Sequence, residues 1–159
     1  MSHLAEIAVK NQAIIWDYLV RERGFTCKIA KGALTSGAGA SAMTFHGVLG
    51  IDGFEYCIYV HIVDWLLTQK PVIGLVENLS NSAHARVHVG PTGLICYSRE
   101  GQLVLNAEAP ASAIALCLDL VETTLRIIKN KGQSGIEFND EYFAYWSQSF
   151  IRSFNLDFC

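Results

Sequence analysis

Two runs of alternating side chains meet at Ile51-Asp52-Gly53, and this junction restricts the fold more than any other feature of the chain. Asp-Gly suits the positive φ angles of a tight turn, so the flanking runs are predicted to pair as an antiparallel hairpin. The first run, Ala42 to Gly50, places Met43, Phe45 and Val48 toward the core. In the second, Phe54 to Val63, Phe54, Tyr56, Ile58, Val60 and Ile62 share one face, while Glu55, Cys57, Tyr59 and His61 share the other. A hairpin with one apolar face needs more strands and a covering layer.

Both are legible. Phe25 to Ala30 reads as a strand before the hairpin, and Val72 to Glu77, after Pro71, as a strand behind it. Residues 3–23 repeat Leu4, Ile7, Ala8, Ile14 or Ala13, Ile15, Tyr18 and Leu19 at helical spacing, with Ser2 as N-cap and Gly24 as stop. The strongest helical pattern starts near Pro110: Ile114, Leu118, Val121, Leu125 and Ile128 recur at steps of four, three, four and three. Lys129-Asn130-Lys131-Gly132 is its C-terminal signal. A further helix is expected from Asn139-Asp140-Glu141, with Phe138, Tyr142, Tyr145 and Trp146 on an aromatic face. The expected class is α+β in one domain, residues 1–159. Its order is an N-terminal helix, a four-stranded antiparallel meander, an irregular loop and C-terminal helices.

A chain of 159 residues that is 51% apolar and 17% charged can bury a sizeable core. A net charge of -3 gives no basic excess for nucleic acid. The apolar runs fall short of a membrane span. The first residues, Met1-Ser-His-Leu-Ala-Glu, lack the pattern of a signal peptide, so a cytoplasmic location is expected. The five cysteines, Cys27, Cys57, Cys96, Cys117 and Cys159, are odd in number and contain no Cys-x-x-Cys pair. They read as reduced thiols rather than a zinc site or a disulfide framework. Cys27 and Cys57 lie in strands, Cys117 beside an apolar helical stripe, and Cys159 at the last position.

Cys96 has a different setting. The segment Asn78 to Gly93 is rich in Asn, Ser, His and Gly, a long irregular connection of the kind that carries function. It holds His84 and His88 and ends in the turn chemistry of Gly90-Pro91-Thr92-Gly93. The short apolar piece Leu94-Ile95-Cys96-Tyr97 follows, and then the polar Ser98-Arg99-Glu100-Gly101. A thiol is nucleophilic as its thiolate. A neighbouring imidazole can move its proton or steady an oxyanion. His88 precedes Cys96 by eight residues and His84 by twelve, and either can fold back through the Gly-Pro turn. The plainer alternative is a polar loop with two surface histidines and a buried cysteine.

Pro71 before the fourth strand, His84 in the loop, and Thr92-Gly93-Leu94-Ile95-Cys96-Tyr97 before a long helix resemble the ubiquitin-conjugating enzymes. The resemblance spans roughly residues 3 to 131, and Gly-Leu-Ile-Cys-Tyr is its most specific part. In that family a His-Pro-Asn triplet lies in the loop, and the active cysteine follows in an Asn-Gly-x-Ile-Cys-Leu segment. Here Ala85-Arg86 replaces Pro-Asn, and His88 stands where the family has asparagine. The resemblance thus implies Cys96 as the acyl-accepting nucleophile, with His88 steadying the oxyanion and His84 bracing the loop.

These departures, with Glu137-Phe138 and Tyr145-Trp146, look more like the family's bacterial branch, found in antiphage defence operons of the type II CBASS kind or in bacterial ubiquitin-like conjugation systems. That implies a thioester with the C-terminus of a protein partner, either a cyclic GMP-AMP synthase-like nucleotidyltransferase or a ubiquitin-like protein. ATP would be used by a separate activating enzyme, and no metal or organic cofactor is called for. Two alternatives stand beside this reading. One is a catalytically inactive binding module on the same fold. The other is an unrelated cysteine hydrolase using His84 or His88, for which the sequence offers no orienting third residue.

Overall fold

A computed structural model describes residues 2–28, 42–76, 89–90, 93–98 and 102–131. The chain opens with helix α1, His3–Asp17, whose N-cap Ser2 accepts a hydrogen bond from the Ala5 amide at 3.4 Å. The helix widens into one π-helical stretch, Tyr18–Glu22, and stops at Gly24, whose φ of 70° suits glycine. The expected helix is therefore one helical run of two kinds. Its buried stripe is Ala8, Asn11, Ile15 and Leu19. Leu4, expected on that stripe, is 59% exposed, and the stripe includes the amide Asn11, whose Nδ2 donates to the Trp65 carbonyl at 2.9 Å.

Four antiparallel strands follow, β1 (Thr26–Lys28), β2 (Met43–Ile51), β3 (Phe54–Ile62) and β4 (Val72–Leu75), adjacent in chain order. This is the predicted meander. Asp52 and Gly53 turn β2 into β3 with φ of 49° and 79°, the paired positive angles that Asp-Gly tolerates. In β2 the buried positions are Phe45, Leu49 and Ile51. Val48, expected inside, is 51% exposed. The inward series runs through Gly47, where a Cβ would lie 2.5 Å from the Phe25 ring. The slot on β2 is empty because an aromatic ring from the neighbouring segment fills it.

The connection from β3 to β4 also belongs to the core. Trp65 and Leu67 are buried, and Leu67 adopts a φ of 56°. Asp64 holds this turn: its carboxylate accepts from the Leu66 amide at 2.9 Å, the Thr68 hydroxyl at 2.5 Å and the Gln69 amide at 3.0 Å.

Helix α2, Pro110–Lys131, packs against α1 and β2. It is entered through a turn in which Asn106 Oδ1 accepts from the Glu108 amide at 2.9 Å. Its predicted stripe is buried throughout, with Ile114, Leu118 and Val121 fully inside, and Cys117 among them. Before α2, Leu103 and Leu105 are half-buried while Val104 is 88% exposed. The last turn of α2 meets the hairpin tip. Lys129 Nζ donates to the Asp52 carbonyl at 3.0 Å and lies 4.3 Å from the Phe54 ring centre. Arg126 and Lys129 each approach the Asp52 carboxylate at 3.9 Å. Among the described residues no helix is long and apolar enough to cross a membrane.

Candidate functional site around Cys96

Leu94 and Ile95 extend the sheet by one short antiparallel piece beyond β4. Leu94 pairs with Gly74, and Ile95 pairs with Val89 on its other side. Two backbone bonds fix the piece: the Leu75 amide donates to the Gly93 carbonyl and the Ile95 amide to the Ile73 carbonyl, each at 2.9 Å. Gly90 and Gly93 close the preceding turn, the Gly93 amide donating to the Gly90 carbonyl at 2.9 Å and the Gly90 amide to the Leu94 carbonyl at 2.8 Å.

Gly93 is required twice over. Its φ is 82°, and a Cβ would stand 2.7 Å from the Leu75 carbonyl oxygen. Gly74 is required from the other direction, because the Tyr59 ring lies where its Cβ would be. The glycine before Leu-Ile-Cys, read from sequence as turn chemistry, is thus what lets the segment lie close against β4.

Beyond Ile95 the ladder ends and the side chains alternate. Leu94 is exposed, Ile95 buried, Cys96 half-buried and Tyr97 buried. Cys96 therefore stands on irregular backbone just past the sheet edge, with its Sγ 3.9 Å from the Ser98 carbonyl oxygen. Behind it, Tyr97 is the anchor. Its hydroxyl donates to the Pro71 carbonyl at 2.6 Å, with the buried Cys117 thiol as an electrostatic neighbour. Burial, with the Cys117 thiol adding to it, pushes the Tyr97 phenol far above its ordinary range. Burial also raises the Cys117 thiol, offset in part by Tyr97 and by the Lys70 ammonium.

Lys70 completes the arrangement. This exposed side chain reaches from the end of the β3–β4 connection, and its Nζ donates to the Ser98 carbonyl at 2.7 Å and the Ser98 hydroxyl at 3.0 Å. The same Nζ lies 5.2 Å from the Tyr97 ring centre, a cation–π contact. Sequence reading missed Lys70, which is 28 residues from Ser98 along the chain. The cue present in the sequence was its place directly before Pro71, whose carbonyl holds Tyr97.

His84 and His88, the two imidazoles expected near Cys96, lie outside the described residues, as do Pro91 and Thr92. Of the other described cysteines, Cys27 is half-buried in β1 with its thiol raised by burial, Cys57 is exposed on the outer sheet face, and Cys117 is fully buried. Cys117 is a core residue, as its place on the helical stripe suggests. Among the described residues no group of three His, Cys, Asp or Glu side chains could hold a metal ion. Two shallow hollows among the described residues, of about 400 and 480 Å³, lie along α1, the first lined by Ala13, Tyr18 and Glu22 and the second by Val9, Trp16 and Met43. Both are away from Cys96. Compared with family models, curated proteins and solved structures, the chain matches none.

Proposed function

We propose that this protein is an acyl carrier of the ubiquitin-conjugating kind, in which Cys96 accepts the C-terminus of a protein partner as a thioester and passes it on. One observation carries the reading. Cys96 is a half-buried thiol on irregular backbone, held on one side by Gly93 against β4 and on the other by Tyr97 at the Pro71 carbonyl. A nucleophile held by rigid neighbours but open on one side suits attack on an incoming carbonyl. The thiolate is both a strong nucleophile and a good leaving group, so a thioester forms and is consumed without large barriers. The order of one helix, a four-stranded meander, the cysteine segment and a long helix agrees with the conjugating-enzyme arrangement that the sequence resembles.

In this reading the partner is a cyclic-nucleotide synthase or a ubiquitin-like protein of a bacterial antiphage system, working in the cytoplasm, and a separate activating enzyme spends the ATP. His88 steadies the oxyanion. Replacement of the family's Pro-Asn by Ala85-Arg86 favours a second reading, a binding module on the same scaffold that performs no transfer.

Co-expression with the neighbouring gene products tests the two. The wild type should yield an adduct with the partner that a thiol reductant releases. Cys96→Ser should yield an ester adduct that resists the reductant, and Cys96→Ala should yield none. A wild-type protein that copurifies with its partner and never forms the adduct would establish the binding module instead.

A further inference from the structure

We propose that Lys70 is an internal acceptor: once Cys96 carries an acyl group, the Lys70 amine takes it over as a stable amide. The inference rests on the acyl-carrier reading of Cys96 and adds a second, competing fate for its thioester. Its basis is one shared atom. The Ser98 carbonyl oxygen receives Lys70 Nζ at 2.7 Å and lies 3.9 Å from Cys96 Sγ. Nitrogen and sulfur are therefore separated by no more than those two contacts laid end to end. The carbonyl carbon of a thioester is bonded directly to the sulfur, so the electrophile forms within reach of a small swing of a flexible four-carbon stem.

The amine is also kept there. Nζ bonds the Ser98 hydroxyl at 3.0 Å and stacks over the Tyr97 ring, and Tyr97 is fixed at the Pro71 carbonyl. Pro71 is the residue after Lys70, so the lysine and the cysteine are tied together at both ends. Of the other described lysine side chains, Lys10 lies on α1 and Lys129 at the hairpin tip, neither near Ser98. Holding two reactants side by side replaces a bimolecular encounter with an intramolecular one.

The step balances without a further reagent. The amine gives up one ammonium proton to solvent, and the nitrogen lone pair attacks the thioester carbonyl. A C–N bond forms, the C–S bond breaks, and sulfur leaves as the Cys96 thiolate. The second nitrogen proton passes to that thiolate or to water, leaving a neutral amide. The transfer frees the thiol and fuses the cargo permanently beside it. It also removes the charge that binds Ser98 and Tyr97, so the modified protein differs at the mouth of its own site.

The test uses the full chain and a short glycine-ended peptide activated as its 2-mercaptoethanesulfonate thioester, which loads a cysteine by exchange without an activating enzyme. Intact mass before and after dithiothreitol separates thioester from amide, and peptide mapping places the amide. The wild type should first gain a reductant-labile acyl group and then convert it to a resistant one on Lys70, faster as pH rises. Lys70→Arg, which keeps the charge, and Lys70→Gln should both accumulate the labile form, with the resistant form reduced at least ~10-fold, since only intramolecular delivery is lost. Cys96→Ala should form no amide on Lys70, and any labile acyl group it gains should map to other thiols such as the exposed Cys57. A wild type that loads and then hydrolyses with Lys70 unmodified would overturn the inference and leave the acyl-carrier reading standing. Equal resistant product in Cys96→Ala would overturn the inference too, because the lysine would be taking acyl from the reagent. A wild type with Cys96 never loaded would overturn both.

Discussion

Tyr97 carries more of the site than the cysteine beside it. Its hydroxyl bond to the Pro71 carbonyl is buried, and a buried hydrogen bond whose loss strands a carbonyl is worth about 1–2 kcal/mol. Tyr97→Phe should lower the urea unfolding free energy at neutral pH by about that amount. The same residue sets an alkaline limit. The phenol of Tyr97 and the thiol of Cys117 both have folded values raised above the ordinary 10.0 and 9.0. Between ordinary and folded values the unfolded chain has lost protons that the folded chain keeps, so ionisation favours unfolding. Their full contribution is present below about pH 9 and falls as pH rises beyond it. Urea midpoints taken from neutral to strongly alkaline pH should drop steeply in the wild type, and less steeply in Tyr97→Phe at the alkaline end. Of this cluster, the turn at Gly93 was readable, because it is local. Lys70 was not, since its bond to Ser98 spans 28 residues and leaves no periodic trace.

Among the elements, those with a local pattern were the legible ones. The stripe on α2 and the Asp52-Gly53 turn follow directly from spacing and from φ preference, and both hold in the structure. The β2 phase failed at Val48, because Gly47 breaks the apolar alternation and its slot is filled by Phe25 from another segment. The β3–β4 connection, Asp64 to Lys70, has no periodic pattern, yet Trp65 and Leu67 enter the core and the Trp65 carbonyl satisfies the buried Asn11. Asp64 is what shapes it. Burial pushes its carboxyl up, but hydrogen bonds from Thr68, Leu66 and Gln69 outweigh that and hold it below the usual carboxylate range. A lowered carboxyl stabilises above its ordinary value, and the stabilisation is lost as pH falls through the folded value. Asp64→Asn should therefore reduce stability at neutral pH and show a shallower loss on acidification than the wild type, measured by thermal unfolding from neutral to acid pH.

At the scale of the whole molecule, the sheet is covered on one face by α1 and α2, and its two ends are treated differently. One end is the hairpin tip, joined to the end of α2 by Arg126 and by Lys129, the latter across 77 residues of chain. The ion pairs there are long and half-exposed, so Asp52→Asn should cost under ~1 kcal/mol in urea unfolding. Amide exchange at Phe54 and Lys129 should slow or quicken together across solution conditions, since the Lys129 amine joins the Asp52 carbonyl and the Phe54 ring. The other end carries the thiol. Measured along β3 from Phe54 to His61, the two ends lie about 24 Å apart at strand spacing.

A polypeptide carried on Cys96, as proposed, would tug on the short piece beyond β4, far from the contacts at Asp52. There the attachment is two backbone hydrogen bonds to β4 on one side of the cysteine and the buried Tyr97 hydroxyl bond on the other. In the proposed reading, the load would thus fall on these few bonds and not on the hairpin tip.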